Sequence, residues 1–252
     1  MVEDIAERIA AARAEGRAYD LPDTEDLAQA YAVQDALAAK VGEAAGWKLA
    51  VNGKPQMQFF GVSEPVAARV FRADLAESGA ALPRRRFHAL TIEPEIMAVM
   101  GEGAGALGAE ASAGETLAAI DRFLPAIELI DMRGLSLKDA TLPQAVALNV
   151  FNAGAVTGGP GVAPDQLDPA TVRVTLDIDG RRAGEATGSA PQPPGEAVRW
   201  LAGHLAARGL ALRPGDVVLC GTLLPMTLLP ETARRVRVRM KWLGEVGFSL
   251  DG

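Results

Sequence analysis

Apolar residues recur at helical spacing near the start of the chain and at every second position farther on, and the change of texture falls near residue 46. Residues 2–15 read as a helix, with Ile5 and Ile9 about one turn apart and Gly16 as the stop. Residues 24–41 read as a second helix. Thr24 caps it, Val33, Leu37 and Val41 share one face, and Gly42 and Gly46 end it. Together they form a helical N-terminal subdomain, residues 1–46, too small to bury a core of its own.

From residue 47 to 252 the pattern is that of short strands and turns. Segments 47–51, 91–100, 126–131 and 149–157 are strand-like. Val172, Val174, Leu176 and Ile178 alternate with polar neighbours, and Asp179-Gly180 supplies a hairpin turn. Near the end Val236, Val238, Met240 and Trp242 alternate, and Val246, Phe248 and Leu250 alternate back after Gly244. Helices are expected over roughly 115–123 and over 195–208, the latter turning Ala197, Trp200, Leu201 and Leu205 inward. The Gly/Ala-rich stretch 101–114 reads as a surface loop. Strands and helices do not alternate regularly enough for a doubly wound parallel sheet, so the class is α+β with a mixed sheet or roll.

Composition narrows the function. With 49% apolar residues the 252-residue chain is globular. A net charge of -7 argues against nucleic acid, which needs a basic footprint. No run of about 18 apolar residues is present, so no membrane span is expected. One cysteine, Cys220, excludes an intrachain disulfide and fits a cytoplasmic location. With only two histidines besides, a zinc site of the His/Cys kind is not expected.

Four segments can carry chemistry. In Thr91-Ile92-Glu93-Pro94-Glu95-Ile96 the two acids project from one face of a strand. Flanked by apolar residues, they need a cation or must take up protons, unless this is a solvated edge; Pro94 suggests an edge or a bulge. Glu128 stands alone in the apolar strand Ala126–Ile130. It either completes an oxygen-only set with Glu93 and Glu95, which suits Mg²⁺ or Mn²⁺, or forms a salt bridge, for example to Arg133. Lys48 sits in the short apolar strand Trp47–Leu49 as an acid/base candidate or as an edge lysine with its amine in water. Gly221-Thr222 ends a strand, offering backbone N–H groups and a hydroxyl to an anion, or an ordinary turn. His204 reads as a partly exposed helix residue and His88 as a loop residue.

Taken in order, Gly46-Trp47-Lys48, Gly61-Val62-Ser63-Glu64-Pro65, Ile92–Ile96, Ala126-Ile127-Glu128, Ala197–Ala202 and Pro214–Leu219 resemble the 2-keto-4-pentenoate hydratase branch of the fumarylacetoacetate hydrolase superfamily, which also contains 2-oxo-3-hexenedioate decarboxylases. The resemblance spans nearly the whole chain. It implies a mixed β-roll with a small helical N-terminal part, usually in a homo-oligomer. It implies Mg²⁺ or Mn²⁺ on Glu93, Glu95 and Glu128, with Lys48 and Asp74 as catalytic groups and Asn149, Ser189 and Thr222 at a small 2-oxo or 2-hydroxy acid substrate. The implied activity is hydration of a 2-hydroxy-2,4-dienoate. Decarboxylation of a 2-oxo-enedioate is the alternative, and a non-catalytic partner subunit of a related hydratase or decarboxylase is the third reading. The chain departs from the pattern at Ala73, where an acid is usual and Asp74 is adjacent. It departs also at Leu148-Asn149-Val150-Phe151, at Gly221-Thr222-Leu223-Leu224 and in the proline-rich stretch 188–196. The metal set is intact while the set around the reacting carbons is altered, which points to a different substrate or to weak activity.

Overall fold

A computed structural model describes residues 1–251. In chain order the elements are α1 (Val2–Ala14), α2 (Leu27–Val41), β1 (Ala44–Ala50), α3 (Lys54–Phe60), β2 (Val66–Phe71), β3 (Leu75–Glu77), β4 (Ala81–Pro83), β5 (Thr91–Met100), α4 (Ala113–Ala118) and β6 (Ile120–Ile130). They continue with α5 (Leu142–Ala147), β7 (Asn152–Thr157), β8 (Gly159–Pro160), β9 (Arg173–Ile178), β10 (Arg181–Thr187), α6 (Pro194–Ala207), β11 (Val217–Thr222), β12 (Thr227–Leu228), β13 (Arg235–Met240) and β14 (Gly244–Asp251).

Two mixed sheets make the roll. The first runs β2-β1-β11-β5-β6-β7-β3, with β12 added to β5. The second runs β10-β9-β13-β14-β4, with β8 on β14. One face of the first sheet (Ile92, Ile96, Ile127, Leu129) packs with Leu176, Val236, Val238 and Phe248 of the second and with Leu201 and Leu205 of α6. Its other face is covered in part by helices. Ile5 and Ile9 of α1 and Val33 and Leu37 of α2 share a core with Val66, Ile130 and Leu148. The first two helices therefore bury their apolar faces on the roll rather than on each other alone. Within the first sheet Gly46 of β1 faces Val217 of β11, and a Cβ there would meet the Val217 carbonyl at 1.9 Å.

Several expectations shift. Asp26, not Thr24, caps α2 by accepting from the Gln29 N–H at 2.8 Å. The helix expected over 115–123 stops at Ala118, and Ile120 already begins β6; Phe123 turns into the inter-sheet core, which claims the segment for the sheet. Of the strand expected over 149–157 only 152–157 is strand. Before it come α5, fixed by a capping box between Thr141 and Gln144, and a turn at Asn149–Phe151. β13 ends at Met240, so Trp242 falls in the following turn and is exposed. β2 and α3 were not foreseen. The Asp179-Gly180 hairpin joins β9 to β10 as expected.

Candidate metal centre

Glu93 on β5 stands directly opposite Glu128 on the antiparallel strand β6, and Glu95 lies two residues along on the same face. Strand periodicity thus sends all three carboxylates to the side of the first sheet away from the inter-sheet core. One oxygen from each lies within 4.8 Å of the others. Glu95 and Glu128 are closed off from solvent, and Glu93 is partly open.

Pro94 stands in the middle of the sheet rather than at an edge. Its neighbour β11 carries a register shift between Leu219 and Thr222, and Thr222 pairs with Glu95. The irregularity turns the Gly221 N–H onto Glu95 Oε2 at 2.7 Å. Gly221 has φ 112°, and a Cβ there would meet the Asn52 amide at 2.5 Å, so the backbone needs glycine at this point.

Lys48 of β1 is 3% exposed, and its Nζ lies 3.0 Å from Glu128 Oε1. The same oxygen accepts from Asn152 Nδ2 at 2.9 Å. The partner of Glu128 is therefore Lys48, and Arg133 turns to Asp131 instead, at 4.0 Å. Glu128 Oε2 is buried with no hydrogen-bond partner. An orphaned buried carboxylate oxygen is costly unless a cation faces it. Burial raises the Glu93 carboxyl to about 7, helped by the Glu128 charge and opposed by Lys48. Burial, then the charges of Glu128 and Glu93, raise Glu95 well above the usual range. Three crowded acids, one with a free oxygen, fit a hard divalent ion that takes oxygen ligands.

Lys48, Glu93, Glu95 and Thr222 line a cavity of about 340 Å³. The remaining expected residues fall elsewhere. Asp74 lies in a separate cavity beside α1, where it pairs with Arg13 and Arg86. Asn149 uses both ends of its amide on the Arg69 backbone, accepting from its N–H and donating to its carbonyl, each at 2.8 Å. Ser189 donates to the Leu223 carbonyl at 2.5 Å and does not line the cavity. The Thr222 hydroxyl donates to the Leu224 carbonyl at 2.5 Å. Sequence reasoning missed Asn152 and Asn52. Asn52 lines the cavity and donates to the Cys220 carbonyl at 2.9 Å, tying the end of β1 to β11. The signal for Asn152 was an amide at the start of an otherwise apolar strand.

The model of the fumarylacetoacetate hydrolase C-terminal family matches residues 31–249. The chain belongs to that family. Within it, the chain is 32% identical over 191 residues to 2-hydroxyhexa-2,4-dienoate hydratase of Comamonas testosteroni, covering 75% of this chain and 70% of that one. It is 29% identical to 4-oxalocrotonate decarboxylase of a Pseudomonas species, over 82% and 78% of the two chains. Among solved structures of the fumarylacetoacetate hydrolase fold, 4-oxalocrotonate decarboxylase from Pseudomonas putida G7, complexed with magnesium and adipate, superposes with a TM-score of 0.90 at 25% identity, over 99% of this chain and 97% of that one. No helix among the described residues is long and apolar enough to cross a membrane.

Proposed function

We propose that the chain is a divalent-metal-dependent lyase that adds water to a 2-hydroxy-2,4-dienoate of the 2-keto-4-pentenoate type. The carrying observation is the orphaned Glu128 Oε2 among three convergent carboxylates, with Lys48 Nζ 3.0 Å from the other oxygen of the same group. Glu93, Glu95 and Glu128 would hold Mg²⁺ or Mn²⁺. When bound, the ion supplies a Lewis acid for the carboxylate and 2-oxo end of the substrate. The chain's own residues do the rest. Lys48 is the basic side chain in the cavity wall and moves the proton to or from the substrate carbon. Glu128 and Asn152 hold the floor in place beneath it. Asn52 and Thr222 bring polar groups to the wall, while Val150, Phe151 and Leu142 keep bulk water from the carbon chain.

The relative from Comamonas testosteroni, named for hydration of a six-carbon dienoate, supports hydration. The decarboxylase superposition favours a second reading, loss of CO₂ from a 2-oxo-enedioate. Action as a homo-oligomer, with association to a related enzyme, belongs to this reading on the strength of the family resemblance, and a cytoplasmic location on the single cysteine, Cys220.

The test is turnover of a dienoate panel with Mg²⁺ or Mn²⁺, followed by ultraviolet absorbance and by evolved CO₂. Absorbance lost without CO₂ supports the hydratase, and CO₂ release supports the decarboxylase. If no member is turned over although the ion is bound, the hydratase reading is rejected, and co-purification with an active relative supports a non-catalytic partner. In that case Glu95→Ala leaves a co-purifying enzyme's activity intact.

A further inference from the structure

We propose that the cavity selects a 2-oxo or 2-hydroxy acid whose far end is uncharged and apolar, with Phe151 and Val150 setting that preference. The inference rests on the proposed seat of the acid's chelating end at the three carboxylates, and it deepens that reading by naming the substrate class.

Asn149, Val150 and Phe151 are three successive non-glycine residues in the left-handed region, with φ of 54°, 46° and 58°. L-residues avoid this conformation, and β-branched valine most of all. Such a turn persists only where its surroundings over-determine it, and these segments cluster at ligand sites. Here the Asn149 amide is clamped at both ends by the Arg69 backbone. The Phe151 N–H donates to the Leu148 carbonyl at 3.0 Å, and the Phe151 carbonyl accepts from Asp131 N–H at 3.1 Å. The outcome is a fixed wall in which Val150 and Phe151, both buried in the helix-covered core, border the cavity.

The rest of the cavity away from the carboxylates continues this wall. Phe60, Met132, Leu137 and Leu142 line it, interrupted by the uncharged amides of Gln56 and Asn52, and Lys48, already held by Glu128, is the one lysine or arginine in the lining. Lys54 and Lys138 are exposed on flanking segments and do not line it. A second carboxylate placed there would leave water without meeting a cation, which is strongly disfavoured. A methylene placed there gains by burial, roughly fourfold in affinity for each one covered. Leu137 at the mouth is still 38% exposed, so a longer tail has apolar surface left to cover.

The test uses two unreactive probes that share a chelating end, 2-oxohexanoate and 2-oxohexanedioate, titrated by calorimetry into the full chain loaded with Mg²⁺. The expected result is at least tenfold tighter binding of the monoacid. Phe151→Ser should pull that ratio toward one by weakening the monoacid alone, which a general loss of stability would not do. Leu137→Arg, at an exposed position, should narrow the ratio at least threefold by improving the diacid, and it carries the test if the Phe151 variant does not fold. Equal or tighter binding of the diacid by the wild type overturns the proposal while leaving the metal seat standing. A ratio unmoved in both variants overturns the role of the wall. If Mg²⁺ alone binds and neither acid does, the chelation reading falls together with this one.

Discussion

Lys48 Nζ and Glu128 Oε1 are 3.0 Å apart, although their strands are separated by β11 and β5 in the sheet. In a flat sheet three strand spacings would hold the two backbones about 14 Å apart. Side chains standing off a flat sheet would not close that distance, so the sheet curls and the site occupies its concave side. The ammonium is thus brought to the carboxylates by the curvature of the sheet, not by sequence proximity.

Lys48→Met separates proton transfer from ion binding. Removing a positive charge beside three acids should leave Mg²⁺ affinity equal or higher, while turnover falls by about 10²-fold or more. Without metal the variant should lose stability, on the order of 3 kcal/mol, because buried Glu128 loses its cation and keeps only the Asn152 amide. Calorimetric titration with Mg²⁺, steady-state rates and denaturant unfolding check the three parts. Loss of Mg²⁺ binding would make Lys48 a structural prop.

Glu95→Gln should act with opposite sign on the two states of the protein. In the metal-free chain it relieves repulsion among buried acids and raises the melting temperature. In the presence of Mg²⁺ it forfeits a ligand, so the wild type gains stability from the ion and the variant gains little. Thermal melts with Mg²⁺ and with EDTA decide this, and a variant less stable than wild type in EDTA would contradict it.

The raised carboxyls also set a pH trend. Glu93 is raised to about 7 and Glu95 well above the ordinary 4.5, so the contribution of each to stability is full below about 4.5; that of Glu93 is lost as the pH rises through about 7. The metal-free chain should therefore melt at a lower temperature at pH 8 than at pH 6. The ion requires both groups deprotonated, so Mg²⁺ affinity should fall as the pH drops through 7, with proton release on binding. Titrations in buffers of different ionisation enthalpy count those protons.

His204 contributes a trend of the other sign. It stacks on Trp200 at 4.9 Å, and burial first, then the Arg208 charge, lower its imidazole to about 4. Its contribution is present above the ordinary 6.5 and is lost as the pH falls from there toward 4. His204→Phe should keep the stack and flatten the acid side of the stability profile. Parallel wild-type and variant curves between pH 7 and 5 would show that the histidine is not responsible.

The metal-site acids were legible because alternation on a strand is a local rule: Glu93 and Glu95 had to share a face, and an isolated Glu128 in apolar surroundings had to find company. The partner of Glu128 was not legible, since choosing Lys48 over Arg133 depends on the curl of the sheet. Asn149 was expected at the substrate and Asn152 was passed over for a related reason. Both amides lie near the same strand, and only the left-handed turn decides that the first clamps the Arg69 backbone while the second reaches Glu128. Asp74 was placed by adjacency to Ala73, yet it packs against Gly154 and answers to Arg13 and Arg86. In the fold, α4 and β6 were blurred because Phe123 suits either helix or strand until the second sheet is there to receive it.

The bulge on β11 has a consequence for how this molecule can diversify. All three carboxylates ride on the single strand pair β5 and β6, whereas Lys48 arrives from across β11. A slip or insertion between Leu219 and Thr222 would change the distance from the proton carrier to the ion's ligands without altering the pairing of Glu93 with Glu128. Descendants of such a chain could trade one reaction for another, or fall silent, and still hold their ion.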